Sequence, residues 1–325
     1  MVERESEVSR VLVTGGAGFI GSHLCEKLLA RGDDVVCIDD LNDYYNPAFK
    51  CENILELKKK KTFTFYKADI RAPLDQIFAT HNFELVIHLA ARAGVRASIE
   101  NPKLYAEVNV GGTTNLLECS RKFGVKRFIF ASSSSVYGKN SHLPFSEKEP
   151  LNEPASPYAA TKLSAELMCR TYHNLYGLSI ACLRLFTVYG PRGRPDMAPY
   201  KFTEKILKEA TIEIYGDGTS KRDYTFIDDI ISGILAATEK RFAFEIINLG
   251  NNKPVELNQF VSLIEKLVGK KAIIQKLPEQ RADVPITHAD ISKAKAILGW
   301  EPRTTIEEGM TRFVEWYLAK RAKSQ

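Results

Sequence analysis

Along the first half of the chain, short apolar runs alternate with longer stretches whose apolar residues recur at helical spacing. Arg10-Val11-Leu12-Val13-Thr14 is rich in β-branched residues and reads as a buried strand. It feeds into Gly15-Gly16-Ala17-Gly18-Phe19-Ile20-Gly21. A helix follows, with Ile20, Leu24 and Leu28 on one face and Gly32 placed to end it. Val35-Val36-Cys37-Ile38 is a second strand, ending at Asp39. Further strands are predicted at 62–66, 84–89, 126–131 and 178–186, with a long helix from about Asn101 to Phe123. Residues 291–298 and 305–322 are amphipathic helices suited to packing and to a dimer contact. Strands separated by helices predict an α/β fold, a doubly wound parallel sheet whose ligands sit at the C-terminal strand edges. Pro and Gly density after Phe186 marks the exit from the sheet. The expected division is a nucleotide-binding domain over 1–186, rejoined around 222–250, and a smaller C-terminal α/β substrate domain over 187–325.

The glycine turn carries specific chemistry. Glycines let backbone approach a pyrophosphate, and the helix N-terminus offers free amides and a positive dipole end. Asp39, 18 residues after Gly21, is placed to accept hydrogen bonds from an adenosine ribose. Strand, turn, helix, strand and acid in that order predict a Rossmann-type dinucleotide site. The residues after Asp39 are Asp40-Leu41-Asn42-Asp43, with no arginine for a 2′-phosphate, so NAD is favoured over NADP. Asp69, followed by Ile70, has two readings: a contact to the adenine amine or a cap of the next turn. The strand that runs to Leu89 ends in the small residues Ala90 and Ala91, which permit close approach to a ligand. His88, inside that strand, reads as a satisfied core residue. The candidate cofactor residues are therefore Gly15, Gly18, Phe19, Ile20, Gly21, Asp39, Asp69, Ile70, Leu89, Ala90, Ala91 and Asn109, together with Tyr158 and Lys162.

Composition narrows the classes. With 325 residues, 44% hydrophobic and 26% charged, the chain suits one large or two ordinary globular domains. The net charge of +5 is dispersed, and Lys58-Lys59-Lys60-Lys61 reads as a solvated helix end, so no nucleic-acid partner is expected. Residues 1–9 lack the apolar core of a signal peptide, and no stretch approaches ~20 apolar residues, so no membrane span is expected. The six cysteines form no C-x-x-C and read as reduced thiols of a cytoplasmic protein. The six histidines show no ligand spacing, and no metal is expected.

Ser156-Pro157-Tyr158-Ala159-Ala160-Thr161-Lys162 opens a helix, with serine capping and proline at the first position. Tyr158 and Lys162 lie on one face, a turn apart. An ammonium beside a phenol lowers a pKa that starts at about 10, making a general base. Such pairs also arise by chance on solvated helices. Upstream, at a strand edge, stands Ser132-Ser133-Ser134-Ser135-Val136-Tyr137-Gly138.

Thr14-Gly15 through Gly21, Ser133 and Tyr158-x-x-x-Lys162 together resemble the extended short-chain dehydrogenase/reductase family, in its nucleotide-sugar epimerase and dehydratase branch. The likeness runs from Val11 to about Trp316. It implies that Tyr158 transfers the proton, that Lys162 depresses its pKa and holds the nicotinamide ribose, and that Ser133 bonds the sugar C4 oxygen. Ser134 and Ser135 complete that edge, where dehydratases of the branch carry Asp-Glu and decarboxylases often a Glu. Their absence leaves 4-epimerisation. Thr187 followed by Gly190-Pro191-Arg192-Gly193-Arg194-Pro195-Asp196-Met197 resembles the UDP-glucuronate 4-epimerases, in which the threonine and loop arginine meet the sugar carboxylate. The resemblance also implies that Tyr215 flanks the uracil, Arg222 binds the diphosphate and Asp283 meets the uridine ribose. The alternatives are a surface role for Arg194 and an ion pair between Arg222 and Asp223. Gln280 stands where relatives commonly have arginine, and Arg281 is one position late. The expected activity is NAD-dependent 4-epimerisation of UDP-glucuronate to UDP-galacturonate by a homodimer. UDP-glucuronate decarboxylation, neutral UDP-hexose epimerisation and a non-catalytic NAD sensor are the alternatives.

Overall fold

The computed structural model describes residues 9–139, 142–280 and 282–323. The question about Arg281 lies outside them. In chain order the strands are β1 (Arg10–Thr14), β2 (Asp34–Asp39), β3 (Phe63–Lys67), β4 (Leu85–His88), β5 (Arg127–Ser133) and β6 (Ser179–Leu185). Then come β7 (Thr187–Tyr189), β8 (Ile212–Tyr215), β9 (Lys221–Phe226), β10 (Phe244–Leu249), β11 (Pro254–Glu256) and β12 (Ile274–Leu277). Seven of them form one parallel sheet in the order β10-β6-β5-β4-β1-β2-β3. Chain order reverses between β1 and β4, which places the switch-point crevice at their C-terminal ends.

The sheet is covered on both faces, which is why its strands read as continuous apolar runs. Val11, Val13, Cys37, Ile129 and Leu183 pack into one layer with Leu24 and Leu28 of the first helix. Leu12, Val36, Ile38, Val86, Phe128 and Ile180 point the other way, against Leu116, Leu117 and Cys169. Beyond β6 the chain builds a small sheet in the order β11-β9-β7 and a parallel pair of β12 with β8. Of these strands, β7 and β9 contribute to the wall of the cleft, through Thr187, Val188 and Arg222.

The long helix expected over 101–123 has a different backbone. Pro102–Tyr105 and Thr113–Lys122 are α-helical, but Ala106–Gly112 between them is wound as a π-helix. At the end of that turn Gly112 packs directly on Ile70. A Cβ at Gly112 would lie 2.4 Å from the Ile70 Cδ1.

The helix Pro157–Tyr176 is capped as its sequence predicts, with the Ser156 hydroxyl accepting from the Ala159 amide at 3.1 Å and Gly177 ending it in the left-handed region. Its depth is set by Glu166. That buried carboxylate takes the Arg184 guanidinium in a two-pronged pair at 2.9 and 2.8 Å and accepts from the Ser132 hydroxyl at 2.5 Å. Arg184 lies on β6, with its guanidinium 4.9 Å from the centre of the Tyr137 ring. Removing one partner leaves the other charged and buried, which typically costs about 3–5 kcal/mol. Glu166→Ala is therefore expected to lower unfolding stability by about that amount, read from urea denaturation. Replacing both residues by apolar ones of similar volume should recover most of the loss, and a small effect of the single variant would show the pair to be idle.

Candidate active site

The large sheet and the small one enclose a cleft of about 460 Å³ at the switch point. Its inner end is the glycine turn. Gly15 has φ +71, and a Cβ there would lie 2.7 Å from the Ala90 amide nitrogen. A Cβ at Gly21 would lie 2.2 Å from the Gly15 carbonyl oxygen, so β1, the first helix and β4 meet at a spacing only glycine permits. The helix Phe19–Arg31 begins at Gly18 with no side-chain cap, leaving its first amides for an anion. Asp39 accepts from the Ala17 amide at 3.2 Å and the Leu41 amide at 2.9 Å, and it lines the cleft. This cradle fits a dinucleotide: Gly15, Gly18, Phe19, Ile20 and Gly21 would hold its pyrophosphate and Asp39 its adenosine ribose.

Most of the expected cofactor residues share that wall, including Asp69, Ile70, Leu89, Ala90 and Ala91. Asp69 is already engaged: it accepts from the Arg71 amide at 2.8 Å, and the Arg71 side chain pairs with both its oxygens. In the chain alone this is the capping role. Asn109 is buried and does not line the cleft. Its amide group instead bonds the Arg92 backbone at 2.8 and 3.0 Å and the Thr161 hydroxyl at 3.0 Å. It shapes the wall through Arg92, which does line it. His88 is fully buried, with its ring nitrogens 2.7 Å from the Thr14 hydroxyl and 2.9 Å from that of Thr113.

Sequence reasoning missed Lys50. It lines the cleft with its ammonium 3.9 Å from Asp39 and bonded to the Asn42 carbonyl at 3.2 Å. Nothing in its spacing from the glycine turn marks it. Tyr44 and Tyr45, also missed, line the same side.

Ser133, Ser134 and Ser135 stand at the end of β5, and Tyr158 and Lys162 face them. The Ser133 hydroxyl donates to Ser135 Oγ at 3.1 Å and accepts the Ser135 amide at 3.2 Å. Burial pushes the Tyr158 hydroxyl above the ordinary phenol range, while a hydrogen bond with Ser133 and the Arg194 charge pull it back. Lys162 departs from expectation. Its ammonium donates to the Ala131 carbonyl at 2.7 Å, and burial brings its pKa down to about 8. It does not support the Tyr158 phenolate in the chain alone. The helix puts both residues on one face, but the strand carbonyl captures the lysine.

Thr187 and Arg194 line the outer cleft, as do Arg222 and Asp283. Arg194 is held by both oxygens of Asp196, at 2.9 and 2.6 Å. Arg222 does not pair with Asp223, whose oxygens accept the Asn251, Asn252 and Ala289 amides at 2.6, 3.0 and 2.9 Å. Asp283 pairs with Arg96 at 2.9 Å, and that guanidinium lies 4.0 Å over the Tyr215 ring. Tyr215 itself falls outside the cleft lining. Arg96 was missed because it sits in a segment without a motif.

A switch-point glycine cradle, with a serine and a tyrosine–lysine helix converging on it, defines the extended short-chain dehydrogenase/reductase class. The chain belongs to the family described as GDP-mannose 4,6-dehydratase, which matches residues 12–313. It is 52% identical over 308 residues to a UDP-glucuronate 4-epimerase from Thermodesulfobacterium geofontis, covering 94% of this chain and 95% of that one. It is similar to the crystal structure of UDP-glucuronic acid 4-epimerase from Bacillus cereus in complex with UDP-glucuronic acid and NAD. The TM-score is 0.91 and the identity 38%, over 96% of this chain and 99% of that one. A UDP-glucose 4-epimerase from Thermotoga maritima with UDP-glucose is also similar, with TM-score 0.89, 36% identity and coverage of 96% and 99%.

With Tyr158 as the expected general base, only its deprotonated form can take a proton, and turnover should then rise with pH through its pKa. Ser133→Ala removes a hydrogen bond that favours the phenolate. The rising limb should therefore move to higher pH, and turnover at neutral pH should fall about tenfold or more. A limb left in place would separate Ser133 from the Tyr158 titration.

Proposed function

We propose that this chain catalyses NAD-dependent 4-epimerisation of UDP-glucuronate to UDP-galacturonate through a transient 4-keto intermediate. The observation that carries this reading is that the Arg194 guanidinium and Thr187 share one cleft with Ser133, Tyr158 and the glycine cradle. An arginine in that place recognises a carboxylate through its planar fork. The likeness to UDP-glucuronate 4-epimerases over nearly the whole chain supports the substrate.

The residues divide the work. Tyr158 takes the C4 hydroxyl proton and later returns it, and the Ser133 hydroxyl holds the C4 oxygen and supports the phenolate. NAD⁺, held by Gly15, Gly18, Gly21 and Asp39, would supply the hydride chemistry at C4. Between the two transfers the sugar turns over inside the cleft. Lys162, freed from the Ala131 carbonyl, would hold the nicotinamide ribose. Arg222 and Asp283 would hold the UDP. Asp39 and Asp40 disfavour a 2′-phosphate, with the Lys50 charge met by Asp39. In this division residues 1–186, rejoined by β10, carry the cofactor cradle and the reacting side chains Ser133 and Tyr158, and the rest of 187–325 serves the substrate.

The 4-keto form is a β-keto acid, which loses CO₂ when the breaking bond stands perpendicular to the carbonyl plane. In each of the two poses of the sugar, Thr187 and Arg194 hold the carboxylate out of that alignment. Ser134 and Ser135 offer no acid–base pair for dehydration. The reading places the enzyme in the cytoplasm as a homodimer, supported by buried free cysteines and by Leu167, Leu175 and Tyr176 exposed on the helix Pro157–Tyr176.

Incubation with UDP-glucuronate, followed by chromatographic separation, should give UDP-galacturonate. A UDP-pentose would indicate a decarboxylase, and turnover of UDP-glucose alone a neutral-sugar epimerase. Tyr158→Phe should lose about 10²-fold or more in turnover. Unchanged turnover in that variant would point to other chemistry. Arg194→Ala should raise KM for UDP-glucuronate about tenfold or more and release some UDP-pentose. An unaltered KM and product ratio would remove the clamp.

A further inference from the structure

Arg194 does not offer its whole fork to the cleft. A guanidinium carries five N–H donors, and here Nε and one Nη2 hydrogen are spent on Asp196, at 2.9 and 2.6 Å. The Nη1 group and the other Nη2 hydrogen remain. Asp196 lies outside the cleft lining and its side chain is 37% exposed. Tyr44 fixes the pair from the side: its hydroxyl donates to Asp196 Oδ2 at 3.3 Å, and its ring centre is 5.4 Å from the guanidinium carbon. The arginine expected to grip an acidic sugar is therefore already shared with a carboxylate of the chain itself.

Sharing answers a kinetic problem. Epimerisation needs the oxidised sugar to present its second face, so the contact made before the first hydride transfer must break before the second. A guanidinium with both edges free and no countercharge would hold the sugar carboxylate tightest in the first pose. Tight binding of that pose lowers KM but slows the turn. An internal carboxylate on one edge weakens the grip on the other and keeps the arginine in place while the sugar is released. Because Asp196 is half-exposed, its own hold is moderate and does not displace the sugar altogether.

Resting on the reading above, we propose that Asp196 is the positioning residue that sets how strongly Arg194 grips an acidic sugar, and so how readily that sugar turns. Asp196→Asn keeps an oxygen for the fork but removes the charge. It should lower KM for UDP-glucuronate about threefold or more and lower kcat by a similar factor. The inhibition constant of UDP, which has no sugar carboxylate, should stay unchanged. Asp196→Glu should restore both parameters toward wild type. A raised KM in Asp196→Asn would mean that Asp196 merely props the arginine, and an unmoved KM and kcat that the pair is idle; either overturns the proposal, as does a UDP inhibition constant that moves with KM. Wild-type enzyme that leaves UDP-glucuronate unchanged would instead remove the reading beneath it, which the same assay records separately.

Discussion

Three elements that do not touch in sequence are tied at one point, the buried Glu166 carboxylate. It joins Ser132 on β5 to Arg184 on β6 from within the helix Pro157–Tyr176. Each of those elements delivers a residue to the cleft close by. Ser133 follows Ser132, Leu185 follows Arg184, and Lys162 lies one helical turn before Glu166. A buried ion pair adds little net stability against an apolar replacement, because desolvation offsets most of its attraction. Its geometric demand is what matters here. A fork of two hydrogen bonds fixes the helix against the strands in rotation and depth, and that places the Tyr158 hydroxyl against Ser133.

The other half of the cleft is built by omission. Where β1, the first helix and β4 converge, any side chain beyond hydrogen at Gly15 or Gly21 would collide with backbone. The cradle thus exists because two positions have no Cβ, and the helix start is left uncapped for the same end. This half was legible in the sequence because its determinants are local. Glycines, an apolar strand and a following acid occur in fixed order, and each has a reason in backbone chemistry. The alternation of strands and helices gave the doubly wound sheet by the same logic.

What was not legible depends on who the neighbours are across the fold. Helical spacing places Tyr158 and Lys162 together, but not the Ala131 carbonyl that takes the lysine. Asn109 sits in the expected helix, yet its π-wound turn directs the amide to Arg92 and Thr161 rather than into the cleft. Lys50 lines the cleft and Arg96 pairs with a residue that does, both from segments without motif spacing, and only the folded chain puts them against Asp39 and Asp283. The loop from Gly190 to Met197 points to an arginine that lines the cleft, but not to its engagement by Asp196. In each case the missing information is a partner distant in sequence or a side-chain direction, which a one-dimensional pattern does not encode.

The charges around Tyr158 carry one more consequence. In the chain alone its phenolate is supported by Ser133 and, through space, by Arg194. On the proposed reading, a sugar carboxylate settling on Arg194 would cancel part of that second support just when the base is needed. The Lys162 ammonium, brought down by burial to a pKa of about 8 and held by Ala131, would be the cation left to supply it. Moved toward the tyrosine, it would favour the phenolate and be favoured by it, since each stabilises the charged form of the other. Substrate charge and the phenolate population would then be coupled through Arg194 and Lys162.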